Sequence, residues 1–140
     1  MVTLPLPPPE VWPLIDLVGE TAALALVEAR GGTEWYIPRS LPADAGTHPL
    51  VQAIGEPLAR RVVKDRGGLY LEVPLARQWR IEIYAGRGMR SLDIALTLKC
   101  SAHTVSMALR RARAAKKQKA QARKVAAAPA PSAQLDIFRR

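Results

Sequence analysis

Of the 140 residues, 49% are apolar and 24% are charged, a composition that supports a packed core and excludes a wholly disordered chain. The length suffices for one domain or for two very small ones. The net charge of +9 is unevenly distributed, since residues 1–76 sum to −3 and residues 77–140 sum to +12. The second half is therefore predicted to meet a polyanion.

The composition also excludes several classes of site. Cys100 is the single cysteine, so an intrachain disulfide and a multi-cysteine zinc site are excluded, and a reducing compartment is favoured. No segment approaches the length of a transmembrane helix. The proline-rich residues 1–12 lack the basic region of a signal peptide. The sequence predicts a cytoplasmic protein with no membrane partner.

After this segment, an internal repeat occupies residues 13–76. Residues 17–40 and 53–76 superimpose at an offset of 36 residues. The matching positions are mostly glycines, prolines and charged residues at helix ends: Gly19-Glu20 with Gly55-Glu56, Arg30-Gly31-Gly32 with Arg66-Gly67-Gly68, and Pro38 with Pro74.

Each repeat has the pattern of a helix, a glycine stop and a short strand. Residues 20–30 and 56–66 have helical composition and apolar spacing, and a Gly-Gly pair follows each. A proline closes each β run, as expected at a strand end. One repeat buries too little apolar surface to be stable, so we expect the strands to pair antiparallel and the helices to pack together. The intervening residues 41–49 are interpreted as a loop.

A helix-turn-helix is predicted within residues 77–115. Ile94 and Leu98 lie one turn apart on the first helix, and Val105 and Leu109 have the same spacing on the second. Lys99 and Cys100 form the predicted turn, and Ser101 is a suitable N-cap. A helix over roughly residues 77–84 is expected to complete a three-helix core with its side chains Trp79, Ile83 and Tyr84.

The apolar positions determine which side chains face outward. Because a recognition helix reads bases mainly with its first two turns, the candidates for base contacts are Ala102, His103, Ser106, Met107 and Arg110. The candidates for phosphate contacts are Arg90, Lys99, Thr104, Arg111, Arg113, Lys116 and Lys117. A trihelical core used only for protein contacts is the alternative interpretation.

Residues 116–140 form a tail of three parts. Residues 110–124 hold eight Lys/Arg and no acid, which predicts that the recognition helix continues past Ala115 and stays partly frayed until phosphate is present. A solvated helix without a role is the alternative. Residues 126–133 form an Ala/Pro linker.

The tail ends in a short apolar motif, Gln134, Leu135, Asp136, Ile137 and Phe138. It resembles the pentapeptide with which bacterial replication and repair proteins dock on the β sliding clamp. The resemblance implies that the apolar side chains fill pockets while Gln134 makes polar contacts. Packing on the chain's own domain and the absence of any role remain the alternatives.

Taken together, residues 13–113 resemble the Mor (middle operon regulator) transcription activator family of Mu-like bacteriophages. The residues that carry this resemblance are the helix–Gly-Gly–strand element ending in Tyr36-Ile37-Pro38, and the Ile83-Tyr84 segment before the helix-turn-helix. The resemblance implies a homodimer in the bacterial host's nucleoid that binds a promoter and recruits RNA polymerase. The duplicated unit and the tail depart from the family pattern.

The sequence thus predicts an α+β fold, mostly α, and a sequence-specific regulator of transcription that binds double-stranded DNA. A DNA-binding adaptor on the sliding clamp and a phage inhibitor of a host protein are the alternatives. Neither paired carboxylates, nor a nucleophile with its base, nor a phosphate-binding glycine loop is present. We expect no enzyme activity, no cofactor and no metal.

Overall fold

The computed structural model describes residues 4–127. It is mostly helical with one two-stranded antiparallel sheet, which confirms the predicted fold class. The elements in chain order are α1 (Trp12–Val18), α2 (Glu20–Arg30), β1 (Thr33–Tyr36), α3 (Pro49–Ile54), α4 (Glu56–Arg66), β2 (Tyr70–Val73), α5 (Arg77–Gly86), α6 (Ser91–Leu98) and α7 (Ala102–Ala127). Within residues 4–127, no helix combines the length and the apolar character needed to cross a bilayer.

The chain divides into two compact units, one ending at Arg90 and the other beginning at Ser91. The sequence had placed the boundary at residue 77, with α5 in the DNA-reading domain, and the structure corrects this. Trp79 of α5 is buried, and its indole N–H donates a hydrogen bond to the Pro5 carbonyl oxygen at 3.0 Å. This bond ties α5 to the N-terminal segment, so α5 belongs to the first unit.

Both repeats fold as two helices followed by a strand. The sequence correctly predicted α2, α4 and the strands, but it missed the short helices α1 and α3 that precede them. Residues 41–49 are also more ordered than the predicted loop, because a 3₁₀ turn occupies Ala45–Thr47. His48 then caps α3 by accepting a hydrogen bond at Nδ1 from the backbone N–H of Leu50 at 3.1 Å.

The two strands pair about a local pseudo-two-fold axis. Trp35 lies opposite Leu71, the residue that matches it in the second repeat. The Gly32 N–H donates to the Val73 carbonyl, and the matching Gly68 N–H donates to the Ile37 carbonyl, both at 2.8 Å. The strand pairing that the sequence predicted is therefore made inside one chain.

Each Gly-Gly pair uses its two glycines differently. The first, Gly31, has a φ of −53°, but a Cβ there would lie 3.3 Å from the Pro74 carbonyl oxygen and closer still to that of Val27. The second, Gly32, has a φ of +84° and supplies the left-handed turn. Residues Gly67 and Gly68 repeat this arrangement. Glycine is needed first for close approach and then for backbone conformation.

Aliphatic side chains form the core of the first unit, as the low aromatic content predicts. The largest fully buried ones are Val11, Leu14, Leu26, Val27, Ile37, Leu50, Val62, Val73 and Ile81, and the aromatic Trp79 is fully buried with them. The opposite face of the sheet is exposed, and there Tyr36 and Tyr70 meet edge to face with ring centroids 5.3 Å apart. The helices of the two repeats thus share one core beneath a single sheet.

Candidate nucleic-acid interface

The second unit is built on the contact between α6 and α7. Ile94 and Val105 are fully buried, while Leu98 and Leu109 are half-buried. The structure adds Ala108, which is also buried and which the sequence did not single out. The sequence could have predicted its burial, because Ala108 follows Val105 by three positions and is small enough to let α6 approach closely.

A three-residue turn, Lys99 to Ser101, joins the two helices. Lys99 has a φ of +54°, a left-handed conformation that side-chain-bearing residues seldom adopt. The Cys100 N–H donates to the Ala95 carbonyl oxygen at 3.0 Å and closes the end of α6. Lys99 and Cys100 thus form the turn that the sequence predicted.

Ser101 caps α7, which confirms its predicted local role. Its Oγ accepts a hydrogen bond from the backbone N–H of Thr104 at 3.0 Å and lies 2.8 Å from the Thr104 Oγ1. Thr104 was predicted to bind phosphate, and the structure places its hydroxyl in this cap. The cap fixes the direction in which α7 leaves the turn.

The candidates for base contacts lie on the first turns of α7. Ala102, His103, Ser106 and Arg110 are exposed, and Met107 is half-buried. The helical repeat places His103, Ser106 and Arg110 within about 60° of one another around the axis, on the side away from Val105. Three polar side chains therefore share one exposed face.

The candidates for phosphate contacts are distributed over both units. Lys99 is exposed in the turn, and Arg111, Arg113, Lys116 and Lys117 are exposed along α7. Arg90 is also exposed, but it is the last residue of the first unit. With Thr104, six of the seven candidates therefore lie in the turn and α7, and Arg90 belongs to the other unit.

The helix α7 continues as one element to Ala127, in agreement with the predicted extension past Ala115. Its 26 residues span about 39 Å. From Arg113 to Ala126 every residue is exposed. The face that carries His103 continues as a basic stripe along the helix: Arg110, Arg113, Lys117 and Lys124.

The positions of the charges follow the division into units. Residues 1–90 contain ten Lys/Arg and ten Asp/Glu, whereas residues 91–127 contain nine Lys/Arg and one acid, Asp93. The first unit is therefore neutral, and α7 itself contains no carboxylate side chain. From Arg110 onward α7 is therefore positively charged, and this part of the helix attracts phosphate.

The proposed clamp-docking residues, Gln134 to Phe138, lie outside the described residues. Comparison of the chain with protein-family models, with curated proteins and with solved structures gives no match. The resemblance to the Mor family accordingly stays a hypothesis.

Proposed function

We propose that the chain is a sequence-specific protein that binds double-stranded DNA by placing the first two turns of α7 in the major groove. The observation that carries the proposal is the exposed face of His103, Ser106 and Arg110 on a helix whose other side is packed by Val105 against α6. The B-DNA major groove is wide enough to admit an α-helix. A capped helix held by a second helix is the arrangement with which helix-turn-helix proteins read bases.

Each candidate side chain has chemistry suited to a base edge. Arg110 has the planar fork that pairs with guanine O6 and N7, and Ser106 donates or accepts a hydrogen bond. His103 donates or accepts through its ring nitrogens, and the Ala102 methyl suits the methyl group of thymine. Met107 is half-buried beside this face and supplies apolar contact. We expect these five residues to set the preferred sequence.

The basic residues of the turn and helix supply the affinity. If five or six of them meet phosphates, the logarithm of the binding constant falls against the logarithm of salt concentration with a slope of roughly −5. The residues proposed for this contact are Lys99, Arg111, Arg113, Lys116 and Lys117, with Arg90 contributed by the first unit. Together with a helix suited to the major groove, these phosphate contacts favour duplex DNA as the partner.

We further propose that the chain regulates transcription. A small DNA reader attached to a neutral module is suited to a transcription regulator of phage or mobile-element type that works in the host cytoplasm on the nucleoid. The resemblance to the Mor family favours an activator that contacts RNA polymerase.

Selection of binding sites from a random duplex library tests the proposal. We expect the full chain to enrich one sequence, and the variant His103→Ala/Ser106→Ala/Arg110→Ala to lose that enrichment while still binding DNA. Lys116→Gln/Lys117→Gln is the matched control on the same helix, because it should weaken binding to all sequences equally and leave the enriched sequence unchanged. Enrichment of no sequence by the full chain would contradict the proposal.

The pentapeptide Gln134 to Phe138 supports an alternative, in which a DNA-binding adaptor docks on the bacterial β sliding clamp. Deleting residues 134–138 separates the two functions. A regulator keeps the affinity for its selected site after the deletion, whereas an adaptor loses its retention on immobilised clamp.

A further inference from the structure

The two repeats present nearly the same backbone twice, so matched side chains are directly comparable. Leu75 lies over Gly32, with its Cδ1 3.7 Å from the place that a glycine Cβ would take. The matching residue in the first repeat, Arg39, lies over Gly68 in the same way, with its Cγ 3.2 Å from the corresponding place. One glycine turn therefore supports an apolar side chain, and the other supports a guanidinium.

The turn beneath Arg39 forms one wall of an open cleft of about 460 Å³. The polar side chains that line this cleft are Arg39, Ser40, Arg60 and Lys64. The matched positions of the other repeat hold no cation, because they are occupied by Leu75, Ala76, Leu24 and Glu28. All three cations of the cleft thus replace an apolar or acidic residue of the other repeat.

The surroundings of the two surfaces also differ. Leu24 of α2 is buried, and Glu28 interacts with Tyr84 of α5. At the matched positions of α4, Arg60 and Lys64 are both exposed. Arg60 is therefore exposed where its counterpart Leu24 is buried, whereas Lys64 and its counterpart Glu28 are both exposed.

Two of the three cations in the cleft are uncompensated. The Arg60 Nη2 lies 2.6 Å from the Glu56 Oε1, so its charge is paired within α4. Arg39 and Lys64 have no acidic partner among residues 4–127. Arg39, Lys64 and Ser40 thus line the same cleft, and each has a side chain that can donate hydrogen bonds.

We propose that this cleft binds a backbone phosphate of duplex DNA and gives the neutral first unit its own contact with the nucleic acid. The inference rests on the proposed function. The guanidinium fork of Arg39 matches two phosphate oxygens, while Lys64 adds a point charge and Ser40 a hydroxyl donor. An acidic protein segment fits less well, because the apolar lining is confined to Leu41 and Val63, both half-buried. Like other phosphate contacts, this one would position the protein without reading sequence.

The test compares the salt dependence of DNA binding in two variants of the full chain. Arg39→Gln/Lys64→Gln removes the two uncompensated charges of the cleft. Arg61→Gln/Arg66→Gln removes two exposed charges of the same unit that lie outside the cleft. We expect the first variant to make the salt slope shallower by about 1, the value for one phosphate, and the control to keep the slope of the unaltered chain. The enriched sequence should be the same for all three proteins.

Equal slopes for the cleft variant and the unaltered chain would overturn the inference and leave the proposed function standing. An equal decrease of the salt slope in the two variants would also overturn the inference, because it would show a general effect of removing charge. A chain that fails to bind duplex DNA at all would defeat the proposed function instead. Inorganic phosphate distinguishes the source of the ligand: shifts of the Ser40 and Gly68 amide signals in the full chain, without a change of salt slope in the cleft variant, would mean that the cleft takes free phosphate and would refute the DNA contact.

Discussion

Lys99 adopts a conformation that glycine would hold at lower cost. Its φ of +54° lies in the left-handed region, which costs a side-chain-bearing residue roughly 1–2 kcal/mol. A glycine at this position would avoid that cost, but it loses more chain entropy on folding, which offsets part of the stability gained. A lysine in this turn also brings a cation to the edge of the proposed interface. Lys99 therefore lowers the stability of the turn while it adds a positive charge to the proposed interface.

Replacing Lys99 separates these two effects. We expect Lys99→Gly to raise the free energy of unfolding of the second unit by about 1 kcal/mol, because the strain is relieved. The same change should weaken DNA binding and make the salt slope shallower by about 1. Denaturant unfolding and binding titrations measure both quantities. Lys99→Ala is the control, since it removes the charge but retains the strain; equal stability of the two variants would contradict the proposed cost.

Tyr84 gives the first unit a dependence on alkaline pH. Burial raises the pKa of this phenol above its ordinary value near 10, although Arg80, which donates to the phenol oxygen at 3.2 Å, lowers it. The folded state thus favours the neutral phenol. Below pH 10 neither state is ionised and the stability is fully present; above it the unfolded chain ionises first.

The stability is therefore expected to fall as the pH rises from about 10 through the raised pKa. Tyr84→Phe removes the ionising group, so its unfolding free energy should fall less steeply over that range. Denaturant unfolding at a series of pH values compares the two proteins, with Tyr70→Phe on the exposed sheet face as the control. If the unfolding free energies of Tyr84→Phe and of the unaltered chain changed in parallel with pH, ionisation of Tyr84 would not be the cause of the alkaline loss of stability.

At the scale of the element, the distal half of α7 has no packing partner among the described residues of its unit, 91–127. From Arg113 to Ala126 all residues are exposed, and like charges follow one another at a spacing of four, as in Arg113 with Lys117 and Lys119 with Arg123. Each such pair destabilises a helix by about 0.2–0.5 kcal/mol. Isolated helices of this length are marginal in water.

Duplex DNA should therefore increase the order of this half of the helix. We expect the helical content measured by circular dichroism to rise when the chain binds a short duplex, because phosphate neutralises the repulsion. The variant Lys119→Gln/Arg123→Gln relieves one like-charge pair, so it should be more helical before DNA is added and gain less afterwards. An unchanged spectrum on binding would show that the helix is fully formed without DNA.

The elements also show how far local sequence determines this fold. Apolar spacing and the glycine pairs predicted α2, α4 and the strands, and the Ser101 cap located the start of α7. Short helices were harder to predict, since α3 has six residues and begins with a proline capped by a histidine, a rarer signal than a serine cap. The exposure of the candidate residues for base contacts was predictable, because it follows from the buried spacing of Val105 and its neighbours on α7.

The unit boundary had no local signal at all. One contact that joins α5 to the first unit, the hydrogen bond from Trp79 to Pro5, links residues 74 positions apart. The basic cleft could not be predicted from local sequence either, because Arg39 and Lys64 line one cleft only when the second glycine turn lies beneath the end of the first strand. Periodicity predicts which residues are buried, but contacts distant in sequence determine which surfaces meet.

At the scale of the whole molecule, the internal pairing of β1 with β2 bears on the oligomeric state. The resemblance to the Mor family implies a homodimer, but here the strand pairing is completed within one chain. We therefore expect a monomer of 15.3 kDa that carries one recognition helix and selects a site without two-fold symmetry. Analytical ultracentrifugation and the stoichiometry on selected DNA test this. A palindromic site bound by two chains would contradict it.

Joining the two repeats by a short connection also changes the kinetics of their assembly. Two separate chains would have to meet by diffusion, so their folded fraction would fall on dilution. The residues between Pro38 and Pro49 instead hold each half at an effective concentration in the millimolar range, which makes the encounter unimolecular. The melting temperature should accordingly be the same at nanomolar and micromolar protein, and a single proteolytic cut near Ala43 would restore the dependence on dilution.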